Sequence, residues 1–288
     1  NTISAKTSGL VTATAATTIT GTAAAINTLI ADEVDSGNGV NLDTDFAVTV
    51  ASGSASAAHL NTINSETSGL VTATAVTALT GTASAMATLM GNEADSGNAI
   101  NLDGDFTATV DAGSASAAHL TTISAKTSGL VTATAVTALT GTAAEINTLV
   151  SDEADSGNGV NLDTDYTATI TDTTVAASVL TTLNSNVPGL ITATSVQAIT
   201  GTAAQIAAVM AAEADTGNAI NLDGDFTATV DAGSVAAADL NTISAKTSGT
   251  ITASNATTIT GTAAAVAAVV GDSQITVASD YAVTITPA

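Results

Sequence analysis

No cysteine occurs in this sequence, which rules out disulfides and thiolate metal sites. Arginine is also missing, and the only cations besides two histidines are Lys6, Lys126 and Lys246. Against them stand 26 acidic residues, for a net charge of −23. Phosphate contacts need Lys and Arg, so nucleic acid is excluded as a partner and anionic lipid is disfavoured. Tryptophan is absent and aromatics make up 2% of the chain, so a core of large side chains is not available. No run of about 20 apolar residues is present, so membrane insertion through a helix is not expected. Proline occurs only twice. Low-complexity disorder would tolerate such a composition, but Val, Ile and Leu recur here at fixed register and mean hydropathy is positive (+0.41).

What the chain has is a 60-residue period. Residues 1–60 align without a gap on 61–120, 121–180 and 181–240, and 241–288 is a shortened copy. A fixed period of this length predicts a stack of repeats, each burying its apolar face on its neighbours. The sequence therefore reads as a single solenoid over 1–288. A string of 60-residue β domains is disfavoured, because no linker separates the copies.

Within one copy, Leu70–Thr74 and Val76–Leu79 read as short strands. Thr82 is placed to cap a helix over 83–90, with Met86, Leu89 and Met90 on one face. A polar loop follows. Ile100–Leu102 and Phe106–Val110 read as two more strands, with Phe106, Ala108 and Val110 facing in. Ser114 or Ser116 can cap a second helix carrying Ala117, Leu120 and Ile123. It ends near Thr127-Ser128-Gly129, where glycine suits a left-handed cap. Each half of the copy thus reads as strand, strand, helix. The expected fold is an α/β solenoid, a right-handed stack of parallel short strands with one short helix per coil of about 30 residues. Nine to ten coils at about 4.8 Å per rung predict a rod of roughly 45 Å.

The acidic loop carries the strongest chemical signal. Asp35-Ser36-Gly37-Asn38 precedes Asn41-Leu42-Asp43-Thr44-Asp45, and the pattern returns at 95–105, 155–165 and 215–225. Asp-x-Asp at a tight turn offers the oxygen ligands that Ca²⁺ prefers. Asp43, Asp45, Asp103, Asp105, Asp163, Asp165, Asp223 and Asp225 are the candidate calcium ligands. The competing reading is a turn in which each Asp bonds its own backbone. Thr-Ala-Thr pairs such as Thr72/Thr74, Thr107/Thr109 and Thr132/Thr134 invite comparison with ice-binding surfaces. Their alternating 35- and 25-residue spacings predict different strands and no single regular ladder. His59 and His119 recur one copy apart and read as helix-surface residues. Lys6, Lys126 and Lys246 share a register in which the second copy has Glu66, and read as surface charge. No nucleophile elbow, phosphate loop or HExxH pattern occurs, so an enzyme is not expected.

Segments such as Val76-Thr77-Ala78-Leu79-Thr80-Gly81-Thr82-Ala83 and Thr173-Thr174-Val175-Ala176-Ala177-Ser178-Val179-Leu180 resemble the repeat regions of very large, acidic, secreted proteins of aquatic bacteria. Those are described as adhesin-like or as similar to hemolysin-type calcium-binding proteins. The resemblance implies an extracellular or cell-surface structural role. The Gly-Gly-x-Gly-x-Asp nonapeptide of hemolysin-type repeats is missing, so calcium binding is not carried over. The sequence opens at Asn1, inside a helix by register, and reads as a piece of a longer chain with an open first coil. The last copy ends in an apolar strand, Tyr281–Thr286, whose outer edge can pair. The expected partners are copies of the chain or adjacent modules, end to end.

Overall fold

The computed structural model describes residues 3–33, 37, 39–94, 99–153, 158–214 and 216–287. They form two compact units, Asn1–Val136 with Asp152–Asp163, and Thr137–Ser151 with Thr164–Ala288. Both are α/β solenoids built by one rule.

Two kinds of coil alternate. The first kind has two strands and a helix, as in Val76–Gly81 preceded by Val71–Ala73 and followed by the helix Ala83–Gly91. The second has three strands and a helix: Ile100–Leu102, Thr107–Val110, Gly113–Ser116, then Ala117–Ser124. The third strand departs from the expected pair. Ser114 lies inside it, and Ser116 holds the N-cap position without a side-chain cap bond. Gly-Ser-Ala-Ser has little strand propensity, and its counterpart Gly53–Ser56 forms by pairing with Val76–Gly81 of the next coil. Thr82 caps as expected, accepting from the Ala85 N–H at 3.1 Å.

All strand pairing is parallel. In the first unit one inward row runs Ala55, Leu79, Ala108, Val131, Val160 across five strands. Another runs Ile19, Val48, Val71, Ile100. The second unit repeats this with Val175, Ile199, Ala228, Ile251, Ile275. Steps along a row alternate between a longer stretch of chain, as from Leu79 to Ala108, and a shorter one, as from Ala108 to Val131. A long and a short step together fall short of one full copy, so each sheet slides around the coil as it climbs. Each five-stranded sheet starts on the third strand of a three-strand coil and ends on the first strand of a later one. One copy is consequently shared among three sheets. In residues 1–60, Val11–Ala13 and Val40–Leu42 belong to one sheet, Thr18–Gly21 and Ala47–Val50 to the next, and Gly53–Ser56 to a third.

Consecutive helices pack side by side within each unit. The expected core residues Val71, Leu79, Leu102, Phe106, Val110, Leu120 and Ile123 are all buried. Small residues set the close spacing of helix against strand. A Cβ on Gly261, at φ +157°, would stand 3.1 Å from the Ala237 methyl.

Outward-facing residues differ from expectation. Thr80, Thr109 and Thr132 are direct neighbours in one ladder, with Asn161 beyond them. The unequal steps between rungs bring separate Thr-Ala-Thr pairs together where the whole-copy spacings did not. The neighbouring column holds Ser54, Ala78 and Thr107, so the threonines stand in single file.

Candidate functional site

The acidic turns join the first and second strands of every three-strand coil. Leu42 and Phe46 are buried on either side of the exposed Asp43-Thr44-Asp45. Asp43 Oδ1 accepts from the Thr44 N–H at 2.8 Å, and Asp103 Oδ1 from the Gly104 N–H at 2.9 Å. These carboxylates are bonded to their own turn, the arrangement favoured by short Asx loops. Asp105, Asp165 and Asp225, at the register of Asp45, are exposed; at the register of Asp43, Asp223 is exposed and Asp163 half-buried. Asp35, Ser36, Asn38, residues 95–98, residues 155–157 and Asp215 lie outside the described residues, as does Asn1. Among the described residues no three His, Asp or Glu side chains are arranged to hold a metal ion. His59 and His119 are half-buried on their helices. With the turn bonds already made, thermal melts in millimolar Ca²⁺ and in chelator are expected to coincide. A higher melting temperature in Ca²⁺ would instead assign the ion to these turns by mass action.

The other side of the turn does the stacking. Its backbone carbonyls receive the Thr-Ser-Gly of the next two-strand coil. The Thr67 hydroxyl donates to the Phe46 carbonyl, and the Ser68 N–H donates to the Thr44 carbonyl at 2.8 Å. Gly69 N–H closes back on Thr67 Oγ1 at 3.0 Å. Thr127-Ser128-Gly129 grips Phe106 and Gly104 in the same way, and Thr247-Ser248-Gly249 grips Phe226 and Gly224. Glycine serves close approach here, correcting the expected left-handed cap. Gly129 has no positive φ, yet a Cβ on it would lie 2.3 Å from the Phe106 carbonyl oxygen.

Sequence reasoning missed this clip, although one signal was present. In the copy where Thr-Ser-Gly becomes Val187-Pro188-Gly189, the buried Phe becomes Tyr166. Valine has no hydroxyl to donate and proline no N–H. There Gly189 N–H donates to the Tyr166 carbonyl at 3.1 Å, and the Tyr166 hydroxyl donates to the Asn186 carbonyl at 3.4 Å. Both sides of the contact change together.

Charge is paired unevenly around the turns. Lys126 Nζ meets Glu93 Oε2 at 3.3 Å, and Lys246 Nζ meets Glu213 Oε2 at 3.0 Å. At the same register Glu66 shares with Glu33 and Asp43 a hollow of about 180 Å³, also lined by Ile30, Leu42, Thr44 and Phe46. Glu66→Lys is expected to stabilise the fold by up to about 1 kcal/mol, because the pair is partly exposed. Denaturant midpoints at low and high salt check this, and the gain should shrink in salt.

Asp272 accepts a seryl hydroxyl bond, as Asp32 and Asp152 do at the same register, and a backbone bond besides. The Ser244 hydroxyl donates to it, and the Gln274 N–H donates to its Oδ1 at 2.9 Å. Chiefly the Ser244 bond, then the backbone bond, lowers its pKa below the ordinary 3.8, against a smaller opposing effect of burial. A depressed folded-state value stabilises above the unfolded pKa and is lost as pH falls through the folded one. The stability difference between wild type and Asp272→Asn is therefore expected at neutral pH and should vanish in strong acid, as melts across pH will read.

Comparison with known protein families, with characterised proteins and with solved structures gives no match. Among the described residues, no helix is long and apolar enough to cross a membrane.

Proposed function

We propose that this chain is a non-enzymatic structural repeat protein that forms an extended rod or filament at a bacterial surface or in an extracellular matrix. One observation carries the reading. Parallel rungs join each coil to the next, and Thr-Ser-Gly clips fasten two-strand coils to the turns of the three-strand coils before them, so the same pair of interfaces recurs as the fold lengthens. Leu42, Leu102, Leu162 and Leu222, identical in the four full copies, are buried in the stack, as is the aromatic residue at the register of Phe46, Phe106, Tyr166 and Phe226. The extracellular setting draws support from the resemblance to acidic secreted repeats and from a charge of −23, which keeps long surfaces solvated and apart. A ligand-binding role for calcium or ice draws on the acidic turns and the single-file threonines. Electron microscopy and concentration-dependent light scattering of the purified chain test the structural reading. End-to-end filaments are expected, and particles that stay monomeric at every concentration would overturn it.

A further inference from the structure

The copies share one backbone plan but alternate in side chains at one place. The first, third and fifth carry Ser-Ala-Lys at 4–6, 124–126 and 244–246, whereas the second and fourth carry Asn64-Ser65-Glu66 and Asn184-Ser185-Asn186. A second position changes in step. Asp32, Asp152 and Asp272 go with the serines, and Asn92 and Ala212 go with the asparagines. The structure joins the two positions. Ser124 Oγ donates to Asp152 Oδ2 at 2.6 Å, Ser4 Oγ to Asp32 Oδ2 at 2.5 Å, and Ser244 to Asp272 in the same way. Asp272 is the C-cap of the helix Ala263–Gly271, and Asp152 directly follows the helix Ala143–Ser151. The helix dipole disfavours a carboxylate there, and the hydroxyl bond offsets that cost. Lys126 and Lys246 reach the other way, to Glu93 and Glu213 in the coil before. The tail of each such helix, Ala117–Ser124 or Ala237–Ser244, therefore ties its own coil to both neighbours.

The second and fourth copies lack this tie. Their helices run further, over Ala57–Glu66 and Ala177–Asn186. Ser65 and Ser185 turn back onto their own helices and donate to the Thr62 and Thr181 carbonyls. Asn64 Oδ1 and Asn184 Oδ1 are buried with no donor among the described residues. Glu66 stands in the lysine position beside Glu33 and Asp43, and among the described residues neither it nor Asn186 makes an ion pair. The fourth copy also has Val187 in place of the clip threonine.

We propose that these helix tails are latches and that their alternation sets where the stack opens. The coils of Ala177–Asn186 and Ala57–Glu66 part first, once in every second copy, while those of Ala117–Ser124 and Ala237–Ser244 stay shut. A buried orphan acceptor lowers the cost of opening, because water satisfies it as the coil parts. A latched tail loses both of its charge-assisted contacts in the same motion. The coil of Ala177–Asn186 opens most readily, since it lacks the clip hydroxyl as well. A stack built this way yields locally at set intervals instead of unfolding as a whole, and recloses on neighbours that remain folded.

Native-state hydrogen exchange of the full 288-residue chain reads the opening directly, by mass spectrometry with protection corrected for intrinsic rates. The decisive comparison is 180–187 against 120–127. Both tails lie in the middle of the chain, so fraying at the termini does not set their order. Protection is expected to be about tenfold lower at 180–187, with 60–67 in between. Moving the latch into the second copy, as Asn64→Ser with Glu66→Lys and Asn92→Asp, is expected to raise protection at 60–67 to that of 120–127. The fold is kept, because the third copy already holds the same set at 124, 126 and 152. Equal protection at the two inner tails overturns the proposal. So does a transplanted latch that leaves 60–67 as it was.

Discussion

Gly129→Ala is expected to be among the most damaging substitutions in the chain, costing on the order of 4 kcal/mol. The new Cβ would lie 2.3 Å from the Phe106 carbonyl oxygen and 2.9 Å from that of Asp105. Both obstacles are backbone, so no rotamer change relieves them. Relief requires separating the two coils, which also breaks the bonds from Thr127 to Phe106 and from Ser128 to Gly104. The same change at Gly9 meets only Thr7 Oγ1 at 3.6 Å, an ordinary contact, and should be nearly silent. Denaturant melts of the two variants make the comparison. Equal midpoints would show that the coil contact at Gly129 is looser than the structure has it.

Phe106→Asp is expected to cost on the order of 3 kcal/mol or more. Phe106 is 1% exposed and sits directly beneath the turn that the clip grips. The substitution removes most of the local apolar volume and buries a charge in the stack. Asp105→Asn, one position away on the solvent side of the same turn, should shift stability by no more than about 0.5 kcal/mol. A small loss at Phe106 in the same melts would contradict its burial.

Much of this architecture can be read from the chain text because the period is strict. Strand and helix positions in the two-strand coil follow from Val71, Leu79, Met86 and Leu89, and all four are buried. Three features were hidden for one reason: their partners lie in another coil. The Thr127 hydroxyl finds a carbonyl 21 residues earlier, and the Ser128 hydroxyl one 24 residues earlier. The third strand, Gly113–Ser116, has no local signature and depends on cross-coil pairing of the kind Gly53–Ser56 makes. The threonine ladder follows the rung steps, which no local window contains. The acidic turns were legible as turns, and the bonds to Thr44 and Gly104 give the Asp side chains a local role that fits their spacing.

Sharing one copy among three sheets limits how such a chain can change its length. Each third strand pairs with the second strand of the two-strand coil after it, so a three-strand coil set against another of its kind would lose that partner, and every inward row above the fault would be out of step. Insertion or loss of a whole copy restores the pattern, whereas a change of half a copy does not. The molecule is in this sense a ruler graduated in pairs of coils. Recombination between its near-identical copies can lengthen or shorten it without a folding fault, but only by whole graduations.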